Sequence, residues 1–174
     1  MKVVDRPPFT VLEDTREPLG FRFPETVSIT LADGSKRTRP VRVVREMLPT
    51  GDYSTPMLRR VGSIERKAIG DMSASITHER ERFDREIERL GRLRYRALIV
   101  EGCEHDVLEA SPMLHRNALA GAGLSFLARR GVPIIYARSA EVAAWRCLAL
   151  LRRWEEEEVK RQSRARFARY RCAS

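Results

Sequence analysis

Asp14, Asp52, Glu65 and Lys67 are the residues whose types and spacing point first to chemistry. Each carboxylate falls at or near the end of a short β-favouring segment. Asp14 follows Phe9–Leu12, Asp52 opens Asp52–Thr55, and Glu65 lies within Val61–Lys67. Oxygen donors converging from separate strands suit a hard divalent cation. Lys67 stands two residues beyond Glu65, so on a strand both side chains point to the same face. Phosphodiester hydrolysis needs what such a group supplies: neutralised phosphate charge, a positioned water, and stabilisation of the negative charge that grows in the transition state. Arg16, two residues past Asp14, is a candidate phosphate clamp. Arg66 faces the other way on a regular strand, and either reaches a phosphate across an edge or holds a carboxylate in place.

The rest of the composition agrees with a polyanionic partner. Among 174 residues, 33 Lys and Arg stand against 24 Asp and Glu, for a net charge of +9. Most of the excess is arginine, whose planar fork pairs with phosphate in bidentate fashion, so nucleic acid ranks ahead of an anionic membrane surface. Cys103, Cys147 and Cys172 lie too far apart for a Cys-x-x-Cys zinc site or a disulfide framework, which fits a reducing cytoplasm. His78, His105 and His115 are not spaced as metal ligands. Gly121 and Gly123 lack the third glycine or Lys-Ser/Thr of a phosphate loop, so nucleotide binding is not expected. MKVVDRPPF has no signal-peptide core, and the longest apolar run, Cys147–Leu151, is far shorter than the roughly 20 residues of a membrane span.

These side chains need elements to position them. Thr26–Leu31 and Val41–Val44 read as a hairpin around Asp33-Gly34, and Asp52–Thr55 with Val61–Lys67 as a second strand pair. Apolar residues Ile76, Phe83, Ile87 and Leu90 predict a helical region over Asp71–Leu93. Ala97–Val100 and Ile134–Ala137 read as buried strands on either side of a helix over Leu119–Arg130. A last helix runs from Ala140 through Glu155–Glu158, with Val142, Trp145, Leu148 and Leu151 expected in the core. The order predicts a single α/β domain with a mixed central β-sheet flanked by α-helices. Residues 1–158 form that domain and 159–174 a basic C-terminal tail carrying Lys160, Arg161, Arg164, Arg166, Arg169 and Arg171.

An Asp followed after a hairpin by Glu-x-Lys is the arrangement of restriction-endonuclease-like nucleases. LEDTREP (Leu12–Pro18), TGDYS (Thr50–Ser54) and IERKAIGD (Ile64–Asp71) resemble, in order and spacing, the nuclease domain of the XPF-type structure-specific endonuclease family. That motif is Gly-Asp, a variable hairpin, Glu-Arg-Lys and an Asp four residues past the Lys, met here by Gly51, Asp52, Glu65, Arg66, Lys67 and Asp71. HERERFDREIERL (His78–Leu90) resembles the helix that follows in the family, with Arg80 at the arginine position and Glu79 where relatives have Gly. GVPIIYA (Gly131–Ala137) continues the likeness.

The resemblance implies a Mg²⁺- or Mn²⁺-dependent endonuclease that cuts branched DNA such as flaps and forks. It further implies Asp14, Asp52 and Glu65 as metal ligands and Lys67 as the catalytic cation. Arg16, Glu17 and Arg66 become supporting catalytic residues, Arg16, Arg66 and Arg80 DNA contacts, and a homodimer through the nuclease domain is expected. Many relatives add tandem helix-hairpin-helix modules, for which too few residues follow Trp154, and the basic tail is the expected nonspecific substitute. The alternative is a noncatalytic DNA-binding subunit of a nuclease heterodimer, and a third reading is an RNA- or membrane-surface binder working through the tail. The expected location is the cytoplasm of a bacterial or phage-infected cell, at the nucleoid.

Overall fold

The computed structural model describes residues 7–30, 34–112 and 114–171. Seven strands and five helices follow in the order β1 (Phe9–Glu13), β2 (Thr26–Thr30), β3 (Lys36–Arg45), β4 (Tyr53–Ser54), β5 (Gly62–Ala68), α1 (Ile69–Ile76), α2 (Arg80–Gly91), β6 (Tyr95–Glu101), α3 (Glu104–Glu109), α4 (Arg116–Arg130), β7 (Ile134–Ala137) and α5 (Ala140–Arg171). The strands form one mixed sheet in the order β2-β3-β1-β4-β5-β6-β7. β1 and β3 pair in parallel, as do β5, β6 and β7, while the two-residue β4 joins β1 to β5 antiparallel to both. The hairpin expected at residues 26–44 is present as β2 and β3, with Gly34 at φ 79°, while Leu31 and Asp33 lie outside the described residues.

Alternation along the strands divides the core into two layers. Phe9, Val11, Tyr53, Ile64 and Ile99 face α5, which lays down Ala143, Ala144, Cys147, Leu148 and Leu151 at helical spacing. Leu98 and Val100 face the other way, onto Met72 and Ile76 of α1, Phe83, Ile87 and Leu90 of α2, and Leu119, Ala122 and Phe126 of α4. Each leucine buried in this way contributes roughly 2 kcal/mol of transfer free energy. Tyr53 is the largest fully buried side chain. It stacks on Phe21 at 4.7 Å between ring centroids and accepts a hydrogen bond from Phe21 N–H at 2.8 Å, which binds the β1–β2 connection to the strand carrying the Gly-Asp pair.

Several expectations need correction. The single helical region at 71–93 is two helices, because the Thr77 hydroxyl donates back to Ser73 C=O at 2.9 Å and competes with the helical ladder. A short helix, α3, occupies what reads as a polar connector; the Asp106 carboxylate accepts from Cys103 N–H and starts it. Trp145 is 63% exposed rather than core, since α5 rests on the sheet through one face and, among the described residues, no further layer covers it. The helix continues unbroken through the basic segment to Arg171. Trp154 stacks on Tyr95, the first residue of β6, so the basic end of α5 leaves the sheet at the edge where β6 begins. Among the described residues no helix is long and apolar enough to cross a membrane.

Candidate active site

The opposite edge of the sheet, where β1, β5 and β6 end, holds the predicted residues. Gly51 turns the chain into β4 at φ 72°, and a Cβ there would sit 2.2 Å from Ser63 Oγ and 3.1 Å from Ile64 C=O. Both the backbone conformation and the close approach therefore call for glycine. Asp52 is then fixed on three sides. Its N–H donates to Ile64 C=O, its C=O accepts from Asp14 N–H, both at 2.8 Å, and its Oδ2 accepts from Arg66 N–H at 2.7 Å. The Gly-Asp pair thus joins β1 to β5 and aims one carboxylate into a cleft of about 520 Å³.

Alternation on β5 separates the Glu-Arg-Lys triplet. Glu65 and Lys67 share the cleft face, with Lys67 Nζ 3.4 Å from Glu65 Oε1. Arg66 points to the other face, where it bonds Glu17 Oε1 at 2.8 Å and Glu101 Oε1 at 2.6 Å and lies over the Phe21 ring. Of the two roles open to Arg66, the geometry shows the one that holds carboxylates: it ties the ends of β1, β5 and β6 together.

Asp14 lines the same cleft as Asp52 and Glu65, with its oxygens engaged by neighbouring donors. Its Oδ1 accepts from Arg16 N–H and Nε, and its Oδ2 from Arg16 Nη2 and Leu48 N–H, all at 2.7–2.9 Å. The Arg16 guanidinium, assisted by the Leu48 and Arg16 amides, holds the Asp14 carboxyl at about 2 against the burial that opposes it. Asp14, Asp52 and Glu65 all line this one cleft, with Asp14 engaged by Arg16 and Leu48, while among the described residues no three Asp, Glu, His or Cys side chains are drawn into one closed cluster. Arg16, its side chain 65% exposed, lines the cleft. Arg80 does not; it opens α2 outside the cleft, 3.9 Å from Asp84. Arg82 and Arg89 face the cleft instead, together with Glu86 and Asp71. The helical offsets from Arg82 to Glu86 and Arg89, four and three residues, were the signal that these three share a flank of α2.

Asp52 and Glu65 form a strained electrostatic pair. Burial, then the Glu65 charge, pushes the Asp52 carboxyl up to about 8, and burial raises Glu65 in spite of Lys67 beside it. Two half-buried carboxylates that resist ionising side by side offer hard oxygen donors, and a divalent cation taking the place of the retained proton would let both ionise. The residues present therefore fit Mg²⁺ or Mn²⁺.

Residues 14–148 match the ERCC4 domain. The chain belongs to the ERCC4 domain family. The ERCC4 match begins at Asp14, the residue that anchors Arg16, and spans every side chain of the cleft. A curated relative, a putative ATP-dependent RNA helicase (MJ1505) of Methanocaldococcus jannaschii, is 34% identical over 123 residues, which are 71% of this chain and 14% of that protein. The chain thus corresponds to about one seventh of that relative's length. Among solved structures, XPF from Aeropyrum pernix superposes with a TM-score of 0.61 at 20% identity, over 90% of this chain and 68% of that one. The same protein in complex with DNA gives 0.57 at 22% identity, over 85% and 66%. These bear out the restriction-endonuclease-like fold of the ERCC4 domain and the resemblance to XPF-type nucleases read from the motifs.

Proposed function

We propose that this ERCC4 domain is a divalent-metal-dependent endonuclease that hydrolyses DNA phosphodiester bonds, with branched DNA such as flaps or forks as its substrate. The observation that carries the reading is the half-buried Asp52–Glu65 pair beside Lys67 on the floor of an arginine-rimmed cleft. Asp52 and Glu65 would hold Mg²⁺ or Mn²⁺, which supplies Lewis-acid neutralisation of the phosphate when bound. Lys67 donates hydrogen bonds at the same face, where it orients the attacking water and stabilises the charge that builds on the phosphoryl oxygens. Arg16 at the rim and Arg82 and Arg89 across from it are placed to grip the phosphates on either side of the scissile bond. Asp14 preorganises Arg16, and Glu17, Arg66 and Glu101 keep the strand ends in register. The A. pernix complex with DNA supports the choice of ligand, and the branch preference rests on the XPF likeness.

Incubating the purified chain with flap, fork and linear duplexes in Mg²⁺ or Mn²⁺ tests this, and cutting of flap or fork in preference to linear duplex is expected. No cutting of any of them, with DNA still bound, would assign the chain to the noncatalytic-subunit reading instead. Equal cutting by Lys67→Ala protein would also sink the assignment.

The homodimer expected from the family finds support in a face of α4 and β7. Leu124 and Leu127 are 68% and 53% exposed beside a shallow apolar groove over Pro133, Ile134 and Tyr136, and β7 is an edge strand. Light scattering is expected to give twice the 20.0 kDa chain mass, and the Leu124→Asp, Leu127→Asp protein a single mass. A wild-type protein that stays monomeric at every concentration excludes pairing through this face.

A further inference from the structure

We propose that Glu86 is a positioning residue: with Phe83 it seats the Lys67 ammonium, sharing it with Glu65 by a hydrogen bond from the side of α2, so that Lys67 does not close fully onto Glu65. This rests on the nuclease reading of the cleft. Lys67 Nζ lies 3.2 Å from Glu86 Oε2 and 3.4 Å from Glu65 Oε1, and 5.2 Å from the Phe83 ring centroid. Phe83 and Glu86 are three residues apart on α2, on the flank that faces β5, so a single helix provides an apolar rest and an anionic stop for one lysine.

Lysine has a flexible four-carbon stem with much rotamer freedom, and a strand does little to restrain it. Here the side chain is only 9% exposed, held from the side opposite its own strand. Glu86 is itself held. Its Oε1 accepts from Arg82 Nε at 3.2 Å, and Arg82 also pairs with Glu79 at 3.3 Å, so the second oxygen remains directed at Lys67. A carboxylate facing a cleft that must admit a polyanion opposes substrate binding, and its presence there is explained by what it does to Lys67. Without it, Glu65 would be the nearest partner of the ammonium. The two would then close on each other, neutralising the oxygen that a divalent ion needs and moving Nζ away from the attacking water.

Single-turnover cleavage by Glu86→Ala, Glu86→Asp and Glu86→Gln proteins tests the seat, with DNA binding measured separately in Ca²⁺. The Ala and Asp forms, which cannot reach Lys67, are expected to lose about ten- to hundredfold in rate at saturating DNA, while affinity changes by less than about twofold. Glutamine keeps an acceptor at the same reach and should stay within about threefold of wild type. In a Lys67→Ala background, Glu86→Ala should cost nothing further. Wild-type rate in the Ala form, a loss confined to affinity, or an equal loss with and without Lys67 overturns the proposal. If the wild type cuts no DNA, the nuclease reading fails by itself. The seat is then judged by amine-reactive labelling of Lys67 in the folded protein, read by peptide mass spectrometry. Several-fold faster labelling in the Ala form than in wild type or the Gln form upholds it, and equal labelling in all three overturns it.

Discussion

Asp52→Ala protein is expected to cleave DNA about a thousandfold more slowly than wild type, or worse, because it removes roughly 4 kcal/mol of charge stabilisation at the phosphate. The same change is expected to abolish stabilisation of the fold by Mn²⁺. Without the ion, burial and then the Glu65 charge hold the Asp52 carboxyl at about 8, against an ordinary 3.8. The folded chain thus keeps a proton that the unfolded chain releases at much lower pH. This group's contribution to stability is present below about pH 4 and falls as pH rises through about 8. A divalent ion must displace that proton, so the rise in melting temperature with a fixed amount of Mn²⁺ should be larger at about pH 8 than at about pH 6. Thermal denaturation of both proteins at both pH values checks this. An undiminished Mn²⁺ effect in the Asp52→Ala protein would place the ion elsewhere and remove Asp52 from the ligand pair.

Arg66→Met is expected to cost the scaffold about 3 kcal/mol of unfolding free energy. The Arg66 side chain is 13% exposed and its partners Glu17 and Glu101 are 9% and 14% exposed, so methionine leaves two carboxylates near each other in poor solvent with no counterion. Methionine retains much of the packing against Phe21, which confines the loss to charge. Chemical denaturation measures it. Adding Glu17→Gln and Glu101→Gln to the methionine protein should recover most of the stability; a triple variant as unstable as the single one would show that the ion pairs are not the cause.

Much of the site was legible in the sequence because its information is local. Period two on β5 puts Glu65 with Lys67 and sends Arg66 to the other face, and both placements follow from two-residue spacing alone. The Gly-Asp pair is legible for a similar reason, since a glycine at a strand head marks a positive φ. The partners of these residues were not. Glu101 meets Arg66 only because β6 pairs in parallel with β5, with Ala68 beside Glu101, and a register of that kind leaves no trace in residue spacing. Glu86 reads as one acid among many on a charged helix, and its role depends on how α2 is rotated over the sheet. That rotation also explains Arg80. It and Arg82 are both arginines near the start of α2, two residues or about 200° apart, so only one of them can face the cleft. Asp14 follows β1 into the cleft as its position at a strand end implies, but the four donors around its oxygens come from Arg16 and from Leu48, 34 residues away, and the Leu48 contact leaves no trace in residue spacing.

The two-layered core has a consequence for biosynthesis. Every side chain that lines the cleft lies between Asp14 and Arg89, but on one face of the sheet beneath it, from Phe9 to Ile99, the covering helix is α5, beside Phe21 and Leu58 from the loops. A nascent chain that has delivered all its site residues still lacks the Ala143–Leu151 side chains that complete the packing over Val11 and Ile64. The residues that would cut DNA are made before the helix that lets them stand in order. Competence is thereby tied to synthesis of nearly the whole domain, and a polypeptide stalled before α5 would carry the cleft's residues without the geometry that could make them a nuclease.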